Sequence, residues 1–173
     1  MDRYKVGLLT ISDGRIYIHN EQYDMTMGYQ QAIKDRLEKT GTVEVVAGTV
    51  PVNSNEVAKR EAQRLKDAGV ELTIFNYAIW TYPQYTAVAT NYAPGPYVLF
   101  CNIHPSKCGM VGMLAAAGTL DQIGKVYERV WGDIGDDAVL DNVMACVRGA
   151  AAVSRLRRMY SDSGTPVMYA NIR

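Results

Sequence analysis

Apolar positions along the chain fall into two alternating rhythms. Five short runs, Lys5–Ile11, Val43–Val50, Glu71–Tyr77, Tyr97–Ile103 and Lys125–Trp131, have the length and β-branched or aromatic content of strands. The first four are nearly continuous, as expected for strands buried on both faces. The fifth is weaker, because Tyr127, Glu128 and Arg129 interrupt it. Between the runs the spacing becomes helical. Over residues 22–39, Met25, Tyr29, Ala32, Ile33 and Leu37 fall on one side, and Gly41 ends the helix. Pro51 stops the second strand, and Ser54-Asn55-Glu56 supplies capping chemistry for a helix through Ala68. Val57, Ala58, Ala62 and Leu65 form its inner stripe, with Gly69 as the stop. A short helix from Tyr82 to Tyr92, a small apolar one from Gly109 to Gly118, and a long one over 136–159 complete the pattern. In the last, Val139, Val143, Val147 and Val153 are expected to face inward.

Such strand–helix units predict an α/β domain over residues 1–164, a doubly wound parallel sheet with right-handed crossovers and helices on both faces. The flavodoxin-like strand order 2-1-3-4-5 is expected, rather than the six-stranded dinucleotide-binding order. Thr165–Arg173 reads as one more strand. Since five units already close a doubly wound domain, it is expected to be the first strand of a following domain outside this sequence.

Composition narrows the function classes. With 173 residues there is enough chain for one sizeable core. Eighteen basic and eighteen acidic side chains cancel, so no field steers the protein toward nucleic acid or an acidic membrane. No apolar run is long enough to span a bilayer, and Met1–Lys5 lacks a signal-peptide pattern. Three cysteines in apolar surroundings point to reduced thiols and a cytoplasmic location. Cys101, His104 and Cys108 match no common zinc spacing and lack a fourth ligand.

Candidate chemistry gathers where the strands end. In open α/β sheets ligands bind beyond the carboxyl ends of the strands. Asp13-Gly14 is a turn dipeptide directly after the first strand, so Arg15 is delivered there. A guanidinium offers a fork of donors suited to hydroxyls, carboxylates or phosphates. Tyr17 follows it; Trp80 and Tyr82 come after strand three; Asn102, His104 and Lys107 after strand four; Trp131 and Asp133 after strand five. Strands one, three, four and five are neighbours in the expected order, so these loops share a rim. Aromatic faces beside arginine, asparagine and histidine suit sugars, whose C–H faces stack on rings while hydroxyls take directed hydrogen bonds.

Other chemistries fit poorly. There is neither G-x-G-x-x-G nor a P-loop. Cys108–Gly112 is glycine-rich at a helix start, yet small residues there serve close packing more often than phosphate binding. A response regulator requires an acidic pair after strand one and an aspartate after strand three, where this chain has Asp13 alone and Asn76. Ser12 reads as having no histidine nearby and no elbow motif, so no catalytic residue and no metal ligand set are expected within the chain. The rim looks like half of a site.

Several segments in order carry a resemblance. Leu9–Arg15 and the helix after it, Asn76–Trp80, Phe100-Cys101-Asn102 before the Gly109–Ala117 helix, and Val130–Asp133 resemble the N-terminal domain of the L-fucose isomerase family. The likeness covers nearly the whole chain. It implies a flavodoxin-like domain preceding a second α/β domain and a C-terminal domain. It also implies an aldose–ketose isomerase working with Mn²⁺ through an enediol, the metal held by a glutamate, an aspartate and a histidine of the later domains. Those residues have no counterpart here, so this chain alone is expected to bind no metal and to be inactive. The same resemblance implies that the domain lends an arginine and a tryptophan to the substrate site of a neighbouring subunit in a homo-oligomer. They fall on Arg15 and Trp80; the strand-end rim itself adds Tyr17, Asn102 and His104 as weaker candidates for contact with a small-molecule sugar. The alternative is a stand-alone, non-enzymatic sugar-binding or scaffold module of the same fold.

Overall fold

Val6–Ile11 of the first strand and all of the third are buried, because each of these strands has a strand on either side and helices on both faces. The structure, a computed structural model, describes residues 3–162. Five parallel strands lie in the order 2-1-3-4-5: β1 Tyr4–Ile11, β2 Val43–Ala47, β3 Leu72–Tyr77, β4 Tyr97–Cys101 and β5 Tyr127–Trp131. The helices are α1 Ile16–Glu21, α2 Tyr23–Glu38, α3 Asn55–Asp67, α4 Pro83–Ala89, α5 Gly109–Gln122 and α6 Asp137–Asp162. The alternation of strand side chains divides the core in two. Leu9, Ile11, Phe75, Tyr77 and Leu99 pack under α3, α4 and α5, whereas Val6, Leu8, Ile74, Val98 and Phe100 pack under α2 and α6. The additional strand expected at Thr165–Arg173 lies outside the described residues.

Expectation and structure part at several places, each with a physical reason. Residues 16–21 form α1, an unexpected helix. Its Ile16 and Tyr17 are both 62% exposed, so it lacks the apolar stripe by which helices are found. The buried side of α2 is Thr26, Gln30, Ile33 and Leu37, while Ala32 is exposed and Met25 and Tyr29 are half-buried. Polar residues can sit there because they find backbone partners: Thr26 Oγ1 donates to the Tyr23 carbonyl and Gln30 Nε2 to the Gly48 carbonyl. β2 ends at Ala47, three residues before the expected Val50. The chain loops out through Pro51 and returns at Val52, which bridges Ile11. α5 runs past Gly118, where a Cβ would meet nothing, and gives way at Gly124, whose φ is +68°. In α6, Val143 and Val147 are buried and Val139 half-buried, but Val153 is exposed. The helix crosses diagonally to the start of β3, where Ser154 Oγ donates to the Glu71 carbonyl and Arg155 meets the Glu71 carboxylate. β5 reads as a weak strand because it is an edge, with Glu128, Arg129 and Trp131 exposed.

Candidate functional site

β1 continues straight into Ser12 and Asp13, both buried (0% and 1% exposed). A carboxylate so placed needs donors, and Arg15 supplies all of those recorded. The Arg15 backbone N–H donates to Asp13 Oδ1 at 2.9 Å. Its Nε donates at 3.1 and 3.2 Å to the two carboxylate oxygens, and Nη2 at 2.6 Å to Oδ2. Burial pushes the Asp13 carboxyl up, but these hydrogen bonds and the charge of Arg15 outweigh it and hold the group below its ordinary value. Conversely, the hydrogen bond that Arg15 donates to Asp13 raises the arginine further into its charged range. The arginine side chain is 47% exposed, and its Nη1 has no partner among the described residues. One edge of the fork is therefore anchored to the fold and the other is available.

Aromatic rings surround this pair. The guanidinium carbon lies 5.5 Å from the Trp80 ring centroid and 6.0 Å from that of Tyr17, within reach of a cation–π interaction. Trp80 packs edge-on against Tyr82 at 4.7 Å, and Tyr82 against Tyr85 at 5.9 Å. Gly14 makes this possible, since a Cβ there would collide with the Tyr85 hydroxyl. The loop bearing Trp80 is held from behind by α5. A Cβ on Gly109 would sit 2.5 Å from the Tyr77 carbonyl oxygen, and one on Gly112 would sit 3.1 Å from the Ile79 carbonyl and the Thr81 nitrogen. The small residues at this helix start thus serve close packing against the backbone of Tyr77–Thr81.

Ser12 corrects the sequence reading. His19 of α1 lies beside it, with Nδ1 at 3.0 Å from the Ser12 hydroxyl. The two residues are seven apart, brought together by the unexpected α1. Because Ser12 is fully buried, the pair fastens α1 to the end of β1 and offers no exposed nucleophile.

The structure joins Arg15, Trp80 and Tyr17 and leaves the other candidates apart. Asn102 is buried, its Oδ1 accepting from the Ile134 N–H at 3.4 Å. His104 is exposed and interacts through Nδ1 with the N–H and hydroxyl of Ser106. Among the described residues no ring contact or hydrogen bond links Asn102, His104 or Trp131 to the arginine cluster. Lys107 reaches back across the rim to Gln22 Oε1 at 2.6 Å. Tyr85 escaped the sequence reading, although its spacing of three from Tyr82 at the start of a helix places both rings on one side.

Metal chemistry does not fit these residues. Asp13 directs its carboxylate to Arg15, Asp133 Oδ1 accepts from the Gly135 N–H, and Cys101 is buried with its thiol pushed up to about 11. No cluster of three or more histidine, cysteine, aspartate or glutamate side chains is close enough to hold an ion among the described residues. A groove of about 750 Å³ lined by Pro96, Val126, Glu128, Cys146 and Val153 lies at the end of β4 and β5 opposite the rim.

The sequence matches the family model of the L-fucose isomerase first N-terminal domain over residues 3–158. None of the curated proteins is similar enough in sequence to count as a relative.

Proposed function

Since the chain belongs to the L-fucose isomerase family, as its first N-terminal domain, we propose that it serves an aldose–ketose isomerase by recognising the sugar. The chemistry belongs to other parts of the enzyme. The observation that carries this reading is the placement of the Arg15 guanidinium over Trp80, with one edge fixed by Asp13 and the other open. An aldose or ketose presents both surfaces this pair can use. Its C–H faces cover an indole, and its hydroxyls accept from guanidinium N–H groups. Arg15 and Tyr17 are exposed, so excluding water from such a contact needs a second wall, which supports a site completed by a neighbouring subunit of a homo-oligomer. Mn²⁺ would supply carbonyl polarisation and be held in the enzyme's remaining domains, because the residues described here do not fit it. Tyr17 adds a second ring on the exposed side; Asn102 and His104, engaged elsewhere, are the weaker contacts.

The test is Arg15→Ala in the full-length isomerase. Losing a charged hydrogen bond to the sugar is worth about 1.5–3 kcal/mol, so kcat/KM should fall roughly ten- to a hundredfold with Mn²⁺ affinity unchanged. The substitution also leaves Asp13 buried without its side-chain partner, so thermal stability should fall too, and kinetics are to be measured well below the melting range. Wild-type kcat/KM in the folded variant would remove the recognition role.

A further inference from the structure

An exposed arginine at a loop normally samples many rotamers, and ordering it on a ligand consumes part of the binding free energy. Arg15 differs in three respects. It begins α1 from an extended backbone at the N-cap position, with φ −76° and ψ 114°, so its Cα is fixed by a strand on one side and a helix on the other. Its Nε and Nη2 are both engaged by one carboxylate in the side-on, two-donor geometry that sets the plane of a guanidinium. That carboxylate is itself buried, and the structure records no other side-chain donor for it. Among the described residues Arg15 is its one hydrogen-bond partner. Its one backbone hydrogen bond is from the Arg15 N–H, so every recorded hydrogen bond of the carboxylate acts on Arg15, whereas Ser12 at the same strand end bonds to the Val52 backbone and to the His19 side chain.

We infer that Asp13 is a positioning residue, fixing the plane of the Arg15 guanidinium over Trp80 so that its free edge meets the sugar already ordered. This rests on the reading that Arg15 contacts the sugar. It goes beyond that reading in assigning a function to a carboxylate that never touches the substrate. The two-residue spacing of Asp13 and Arg15 around Gly14 is part of the device. Glycine admits the Tyr85 hydroxyl against the turn, where a Cβ would collide with it.

The experiment is a double-mutant cycle on the full-length isomerase with Asp13→Asn and Arg15→Ala, joined to a spectroscopic measurement on this 173-residue chain. Asp13→Asn should lower kcat/KM roughly two- to tenfold, the ordering loss for one long side chain. In the Arg15→Ala background the same change should have no further effect, because the residue it acts through is gone. In the nitrogen-15 spectrum of the chain, the Arg15 Nε–H should show the heteronuclear NOE of a rigid group, lost in Asp13→Asn. Arg15→Lys provides a second variant if Asp13→Asn fails to fold. It keeps the charge beside Asp13 but not the planar fork, and should be impaired nearly as much as Arg15→Ala. Equal losses from Asp13→Asn in both backgrounds, wild-type kcat/KM in Asp13→Asn, a rigid Nε–H that survives the substitution, or wild-type kinetics in Arg15→Lys would each overturn the inference. Wild-type kinetics in Arg15→Ala would instead overturn the recognition role on which it rests.

Discussion

His19 sits at 8% exposure with its ring edge-on to Tyr23 at 5.7 Å and its Nδ1 on the Ser12 hydroxyl. Burial disfavours the charged imidazolium and lowers its pKa from the ordinary 6.5. In the unfolded chain the same ring takes up its proton at the ordinary value, so the unfolded state binds more protons in the window below it. Stability linked to His19 is therefore fully present above about 6.5 and declines as the pH falls toward the folded value. The carboxylates lowered in the fold, Asp13, Glu56 and Glu61, act in a separate window. Their contribution is present above the ordinary carboxylate range and is lost only in stronger acid. Melting temperatures recorded between pH 7.5 and 5.5 should thus fall with acidification, and His19→Gln should flatten the slope. An unchanged slope in that variant would assign the effect elsewhere.

At the scale of elements, the rim depends on how α5 meets the exit of β3. Gly109 and Gly112 let the helix touch the backbone of Tyr77–Thr81, and Trp80 stands on that loop. Gly109→Ala forces a methyl group against the Tyr77 carbonyl, which backbone movement alone can relieve. Overpacking of this kind destabilises by about 1–3 kcal/mol. The prediction is a lower melting temperature together with a change in Trp80 fluorescence, read in a Trp131→Phe background because Trp131 is exposed and would add its own signal. Gly118→Ala is the control, since its Cβ meets nothing within 4 Å. The strands, their order and the position of Arg15 and Trp80 beyond strand ends were legible in the sequence, because continuous apolar runs and turn dipeptides report directly on sheet burial and on where strands end. The polar side of α2 was not. Thr26 is buried while bonded to its own helix and Gln30 while bonded to the Gly48 carbonyl, and an apolar-stripe pattern announces neither. Nor was α1, whose only buried residue is a histidine. Asp13 was visible as a rim residue, yet its pairing with Arg15 depends on a turn geometry that sequence spacing does not determine.

For the molecule as a whole, an open sheet has two edges, and among the described residues they are β2 and β5. An unpaired parallel edge can template association with a second copy, which proteins counter with exposed charge. Two copies joining antiparallel through β5 are related by a two-fold axis perpendicular to the sheet, so the residue on the axis faces its own copy. The register that pairs all of Tyr127–Trp131 puts that axis at Arg129. Like charges placed directly opposite oppose pairing, and Arg129 is exposed and able to exert that effect. This matters for the proposed function, because a rim completed by a neighbouring subunit needs assembly through chosen surfaces and not through the nearest sheet edge. Arg129→Val should therefore strengthen self-association of the 173-residue chain by roughly two- to fivefold, measured by sedimentation velocity. Arg129→Lys, which keeps the charge, should leave it unchanged. If the valine variant associates no more strongly than the parent chain, the charge does not guard this edge.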